Sequence, residues 1–374
     1  LQLFSKSASS KDLKIVPADQ DVGKDMVTLV TERGYSIETH YVTTSDGYIL
    51  TVFNIPYGKN SESSSRNKYP VILQHGLLDS SYSWITNFED QSLGYLLADA
   101  GFDVWFGNNR GNRYGRNHTK LNPDDGTDAF WKFTWDEMAA YDLPAIINYV
   151  NDKTKSQVSW IGHSEGTIQM FAAGTITGSS KSVSKALEKL DLFVALAPVA
   201  YVHHLKSKDL SILAHTRIVD RFLKNGVYEF LPYGGLTNVL PQICRLTPEV
   251  CHIFMRTLFG PSRNLNDSRL QVYVSQTPAG TSVYNMDHWI QGVRRNNFQM
   301  YDYGSIDENM KHYRQRDPPQ YELKDFQPKV ALFSGSNDFL ADPKDVKQLI
   351  EELPAEKIVY QDVQDDYAHV DFTW

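Results

Sequence analysis

Residues 158–174 read Val158-Ser-Trp-Ile161-Gly162-His163-Ser164-Glu165-Gly166-Thr-Ile-Gln-Met-Phe-Ala-Ala-Gly174. The first four are a short apolar run of the kind that fills a buried strand. Residues 167–174 read as a helix. Between them, Gly162-x-Ser164-x-Gly166 puts a serine on the turn from strand to helix. A turn that tight needs small residues two positions to either side, because a side chain there would strike neighbouring backbone. It lifts the serine hydroxyl above the sheet, and the next helix aims its partly positive N-terminus at the same spot. Ser164 is therefore the candidate nucleophile.

A serine of this kind needs a base, and the base needs a carboxylate to orient it. On a strand–turn–helix elbow the three follow in the order Ser, Asp or Glu, His. Asp338 lies just beyond a strand at 330–334, and His369 beyond a strand at 358–360. Both sit in loops at the carboxyl ends of strands, where open α/β sheets place their sites. Asp342, Asp365, Asp366 and His288 are the rivals. Acyl chemistry also needs donors for an oxyanion. The backbone N–H of Glu165 is one, and the N–H of Leu77, in His75-Gly76-Leu77-Leu78 after a strand at 71–74, is the other.

Outward from these points, strands are expected at 38–44 and 48–55, joined at Ser45-Asp46-Gly47, and at 102–106 and 192–196. Residues 59–68 read as a loop. Helices are expected at 93–100, at 135–151 with a kink at Pro144, and at 343–352. Strand and helix alternate on both sides of a block that has few strand runs. The fold class is α/β, with a mostly parallel central sheet, helices on both faces and an inserted, mainly helical block. The expected divisions are a polar arm at 1–30, core at 31–199, insertion at 200–322 and core again at 323–374. Aromatic clusters at 227–233 and 253–259 would form the insertion's own core or line an acyl tunnel. Gly234-Gly235 suits a hinge.

Composition narrows the function classes. The chain has 374 residues, 41% apolar, 22% charged and 12% aromatic, which is enough for a large folded core. Its net charge of −8 argues against a nucleic-acid surface, so no nucleic-acid partner is expected. No apolar run reaches 18 residues, so no transmembrane segment is expected. There is no His-Glu-x-x-His and no paired-cysteine ligand set, so neither metal nor cofactor is expected. Cys244 and Cys251 are either a disulfide closing a short loop or two buried thiols. Asn117-His-Thr and Asn266-Asp-Ser are glycosylation candidates. The first residue is not Met and no export signal is visible, which fits a mature chain with its signal removed and equally a trimmed cytosolic protein.

Several separated stretches, in order, resemble the acid lipase family of gastric and lysosomal lipases. They are Gly34-Tyr35, Asp46-Gly-Tyr-Ile-Leu50, Gln74-His-Gly-Leu-Leu78, Gly101-Phe-Asp-Val-Trp-Phe-Gly-Asn108, Arg110-Gly-Asn112, Phe133-Thr-Trp-Asp-Glu-Met138, Tyr141-Asp-Leu-Pro144 and Gln299-Met-Tyr-Asp-Tyr-Gly304. The resemblance runs from about residue 34 to 374. It implies an α/β-hydrolase fold and a triad of Ser164, Asp338 and His369. It implies an oxyanion hole of Leu77 and Glu165, and makes the insertion a cap with a movable lid. It further implies a Cys244–Cys251 disulfide and an exported protein, secreted or lysosomal. The activity implied is hydrolysis of acylglycerols or sterol esters, met at a lipid–water interface or in an apolar tunnel, without a cofactor. A monomer is expected. A soluble carboxylesterase or acyltransferase on the same triad, or a non-catalytic hydrolase-fold binding module, are the alternatives.

One position departs from the family, which carries Gln where this chain has Glu165. A carboxylate about 5 Å from a developing oxyanion would cost about 3 kcal/mol at an effective dielectric near 20. Glu165 is therefore expected to turn away, to find a partner, or to work protonated.

Overall fold

The computed structural model describes residues 16–60, 68–176, 178 and 180–374. Its strands are β1 (Glu38–Thr43), β2 (Tyr48–Ile55), β3 (Pro70–Gln74), β4 (Asp103–Gly107), β5 (Asn117–His118), β6 (Val158–His163), β7 (Leu190–Leu196), β8 (Glu229–Phe230), β9 (Thr281–Ser282), β10 (Val330–Gly335) and β11 (Ile358–Gln364). Among the described residues nine of them form one sheet in the order β1-β2-β4-β3-β6-β7-β10-β11, with β5 beside β2. The β1–β2 and β2–β4 pairs are antiparallel, and every pair from β4 to β11 is parallel. This is the expected α/β-hydrolase sheet.

The central strands are buried on both faces, which is why they read as unbroken apolar runs. Successive β3 side chains enter opposite cores: Ile72 joins Trp160, Ile146 and Phe193, whereas Val71 and Leu73 join Tyr82, Trp84 and Phe106. That division puts β3 and β6 at the centre, with helices on both sides. Their carboxyl ends lie in register, Gln74 opposite Gly162.

Three expectations need correction. The 1–30 arm is not unstructured throughout. Met26–Glu32 is a helix whose Met26, Leu29 and Val30 are fully buried. Its 7 residues are too few for a helical period to stand out. Just before it, the buried Asp21 accepts from Arg33 at 2.5 Å and from Arg269 at 2.8 Å. Residues 1–15 of the arm, and 61–67 of the expected loop, lie outside the described residues.

The helix expected at 135–151 is in fact two α segments, Trp135–Glu137 and Leu143–Thr154, joined by a π turn at Met138–Asp142. Pro144 does not kink an intact α-helix, because it falls in the first turn of the second segment, directly after the π turn. The last strand runs on from Tyr360 to Gln364. As a half-exposed edge it pairs, among the described residues, only with β10, so polar residues belong there and an apolar run underestimates its length. The helix Lys181–Leu187 and the short strand β5 were not anticipated.

Between β7 and β10 the chain runs through helices Lys208–Ala214, Ile218–Lys224, Leu240–Leu246, Pro248–Phe259, Leu270–Gln276, Val283–Arg294 and Ile306–Tyr313, with β8 and β9 paired antiparallel. Cys244 and Cys251 are joined by a disulfide linking two of these helices. Closing so short a loop restricts the unfolded chain by roughly 2.5 kcal/mol. The apolar clusters split: Tyr228 and Phe230 pack inward, while Ile253 and Phe254 are 63% and 51% exposed. Asn117 is exposed on β5, and the half-buried Asn266 donates its amide to Gln91 at 3.0 Å. No helix among the described residues is long and apolar enough to cross a membrane.

Candidate active site

Ser164 sits between β6 and the helix Glu165–Thr175 with φ 52° and ψ −111°. That left-handed backbone is costly for a residue with a side chain, and it persists only where the surroundings impose it. The flanking glycines show how. A Cβ on Gly162 would lie 2.2 Å from the Gly166 carbonyl oxygen, and one on Gly166 would lie 2.5 Å from that of Gln74. Both obstacles are backbone, so neither can swing aside. Gly166→Ala is accordingly expected to lower hydrolysis at least about 100-fold and to cut the yield of folded protein, because the elbow must part from β3. Activity and a melting curve on the purified variant check this; wild-type values for both would contradict the packing argument.

The structure brings the three separated residues together. The Ser164 hydroxyl donates to His369 Nε2 at 2.8 Å. His369 Nδ1–H donates to the Asp338 carboxylate, 3.0 and 2.9 Å from its two oxygens. Asp338 Oδ1 also accepts the N–H groups of Leu340 and Ala341, both at 2.8 Å, which holds the carboxylate in place. All three side chains are buried. The rivals lie elsewhere: Asp342 caps the helix Pro343–Glu352 and pairs with Lys206. Asp365 and Asp366 are exposed, and their backbone carbonyls accept from Ser336 and Asn264. His288 stacks on Trp135 and donates to the Gln299 carbonyl at 2.9 Å.

Leu77 lies in the loop leaving β3. Its neighbour Gly76 packs so close to the elbow that a Cβ there would be 3.1 Å from Ser164 Cβ. Leu78 has φ 61°, and its carbonyl accepts the Ala279 N–H at 2.7 Å, anchoring the loop to the inserted block. Among the described residues neither the Leu77 nor the Glu165 N–H is committed to a protein acceptor. His75, at the loop's root, donates from Nδ1 to the Gly76 carbonyl at 2.8 Å. Its Nε2 accepts the Asn109 N–H at 3.1 Å and the Asn112 amide at 3.0 Å. Burial pushes its pKa down to about 4, so the ring is neutral.

His163, which sequence reading passed over, donates Nε2–H to the His369 carbonyl at 2.8 Å. Burial lowers its pKa to about 3. It thereby ties the elbow to the loop carrying His369. From the inserted block, Phe259 stacks parallel to the His369 ring at 6.4 Å.

Glu165 meets one of the outcomes expected of it. Its carboxyl is buried and takes three side-chain donors: Asn285 Nδ2 at 2.7 Å, Trp289 Nε1 at 2.9 Å and Asn109 Nδ2 at 3.4 Å. Of the three outcomes open to it, it has found partners. Asn285 and Trp289 stand four residues apart on one helix face, a spacing visible in the sequence, but nothing there signals their target. Burial raises the Glu165 carboxyl above its ordinary 4.5, its donors pulling the other way. A raised acid favours the folded state while protonated and costs stability as pH rises through its folded-state value. The melting temperature of Glu165→Gln minus that of the parent should therefore grow as pH rises from about 4 into the neutral range. A difference independent of pH would mean that Glu165 does not ionise in this range.

Two family models match the chain: the partial alpha/beta-hydrolase lipase region over residues 26–88 and the alpha/beta hydrolase fold over residues 69–185. The human lysosomal acid lipase/cholesteryl ester hydrolase is 38% identical, covering 100% of this chain and 92% of its own. The human gastric triacylglycerol lipase is 39% identical, covering 96% and 89%. The chain belongs to the acid lipase family. Mouse lipase member K is a further relative, 40% identical over 92% of this chain and 85% of its own. Among solved structures, a lipase fold from Sulfolobus solfataricus matches with a TM-score of 0.54 at 11% identity, covering 90% of this chain and 93% of that one, a likeness of fold alone. This acid lipase is a carboxylic ester hydrolase.

Proposed function

We propose that this enzyme hydrolyses long-chain acylglycerols and sterol esters through an acyl-enzyme on Ser164, with His369 as base and Asp338 as its orienting carboxylate. The observation carrying the reading is the hydrogen-bonded series from Ser164 Oγ through His369 to Asp338. His369 Nε2 takes the hydroxyl proton as Oγ attacks the ester carbonyl carbon, and Asp338 holds the resulting imidazolium. The N–H groups of Leu77 and Glu165 receive the oxyanion, each donor contributing about 3–4 kcal/mol to the transition state. The intermediate collapses, and the alcohol leaves with the proton from His369. Water, deprotonated by the same imidazole, then releases the fatty acid.

The names of the relatives supply the substrate classes: cholesteryl esters for one and triacylglycerol for another. Residues 200–322 act as a cap, with Gly234-Gly235 as the hinge of a lid. In favour of a lipid surface, Leu236, Val239, Ile243, Leu246, Val250, Ile253 and Phe254 are exposed along consecutive cap elements. The disulfide and the exposed Asn117 sequon fit an exported protein, secreted or lysosomal.

Hydrolysis of emulsified triolein, of cholesteryl oleate and of p-nitrophenyl butyrate across a range of pH tests the reading. Fatty acid released from the first two is the expected result. Cleavage of the soluble butyrate alone would make the enzyme a soluble carboxylesterase, and preferential acylation of an added alcohol would make it an acyltransferase.

A further inference from the structure

The buried Glu165 carboxyl lies where the two proposed oxyanion donors are held together. Gln74 ends β3, immediately before the loop that carries Leu77. Its Nε2 donates to Asn109 Oδ1 at 2.8 Å, and Asn109 Nδ2 donates onward to Glu165 Oε2 at 3.4 Å. From the other side, Asn285 and Trp289 of the cap helix donate to Oε1. Gln74, Asn109, Glu165 and Asn285 are all essentially excluded from solvent. No ion pair to Glu165 occurs among the described residues. Asp142, a carboxylate whose charge reaches Glu165, is itself paired with Arg110.

Both oxygens of the Glu165 carboxyl act as acceptors, Oε1 from Asn285 and Trp289 and Oε2 from Asn109, so the group dictates the direction of the bonds reaching it. Asn109 must turn its NH2 toward Glu165 and its oxygen toward Gln74, and Gln74 must answer with its own NH2. The other amide atom of Gln74, Oε1, is buried and has no partner among the described residues. The direction imposed at residue 165 therefore runs through Asn109 to the end of β3. The Asn109 backbone N–H, bonded to His75 Nε2 at 3.1 Å, carries it to the root of the Leu77 loop.

We propose that the Glu165 side chain is a positioning residue for acyl transfer: by fixing the direction of the Gln74–Asn109–Glu165 hydrogen bonds it holds the Leu77 loop and the elbow N–H in one arrangement. The proposal rests on the reading of Leu77 and Glu165 as oxyanion donors.

Exchanging the chemistry of the two ends tests it. With Gln74→Glu, two acceptor-only groups face Asn109, which can satisfy one of them. kcat for p-nitrophenyl butyrate should fall at least about 30-fold while KM moves less than about threefold. Adding Glu165→Gln reverses the series: Gln at 165 donates to Asn109, and Asn109 donates to Glu at 74. The double variant should recover kcat to within about threefold of Glu165→Gln alone, a coupling that independent substitutions would not give. A harmless Gln74→Glu, or a double variant no faster than Gln74→Glu, overturns the proposal, as does recovery of melting temperature without recovery of kcat. Fluorophosphonate labelling of the parent enzyme separates the two readings. If Ser164 is not labelled, the nucleophile assignment fails; if it is labelled and the exchange shows no coupling, only the positioning role fails.

Discussion

Ser164→Ala is expected to lower ester hydrolysis by about 10⁴- to 10⁶-fold while the protein stays folded. On the proposed mechanism the loss is large because removing the hydroxyl takes away the bond-forming step itself. Water attack within the remaining oxyanion hole leaves a residual acceleration of about 10³- to 10⁴-fold over solution. The fold should survive because, among the described residues, the Ser164 hydroxyl bonds only to His369, and alanine keeps the Cβ that packs beside Gly76. Alanine inherits the left-handed backbone with no new atoms to place, so the strain at φ 52° is neither relieved nor increased. The Ser164 backbone bonds, from its N–H to Leu196 and to its carbonyl from Thr167, are untouched. Initial rates with p-nitrophenyl butyrate and a thermal melt decide it. Turnover within about 100-fold of the parent, in protein free of wild-type contamination, would remove Ser164 from the mechanism. Adding His369→Gln to Ser164→Ala should cost little more, because the two residues act as one unit.

What the sequence made legible follows from where apolar pattern and turn chemistry are forced. β3, β6 and β10 are covered on both faces, so 71–74, 158–161 and 330–334 could hardly be anything but buried strands. Each ends at a turn on the same edge of the sheet, which is why residues as distant as 164, 338 and 369 could be named as neighbours. The elbow was readable because its glycines answer to backbone only 2.2 and 2.5 Å from where a Cβ would stand.

Legibility failed where the determining contact is remote or the element short. Met26–Glu32 is helical because Met26, Leu29 and Val30 are buried beside Tyr35 and Ile55, not because its own pattern is strong. The π turn at Met138–Asp142 keeps the apolar spacing of a continuous helix, so periodicity cannot detect it. The partners of Glu165 come from positions 109, 285 and 289, and no local signal joins them. The family departure at 165 marked the place to look, and only the fold supplied the donors.

Asp338→Asn is the other substitution expected to cost about 10⁴-fold in kcat, and for a different reason: every atom stays nearly where it was. The Asp338 carboxylate has two tasks. Oδ1 accepts the Leu340 and Ala341 N–H groups, and the carboxylate as a whole accepts His369 Nδ1–H. An asparagine carbonyl can keep the two backbone donors, both at 2.8 Å, so the loop should hold its shape. That choice turns the amide NH2 toward His369 Nδ1. Two donors cannot face each other, so the imidazole must leave Nδ1 bare and carry its proton on Nε2. Nε2–H would then point at Ser164 Oγ, 2.8 Å away, as a donor where a base is required. The negative charge that stabilises the imidazolium is lost at the same time. KM should change little, because Asp338 is fully buried and does not line the approach to Ser164. Steady-state kinetics and a melting curve separate this account from simple unfolding: the melt should move by no more than a few degrees. A kcat within about tenfold of the parent would show that His369 draws its orientation from another group. The rate should partly recover as pH rises, since hydroxide can substitute for the missing base.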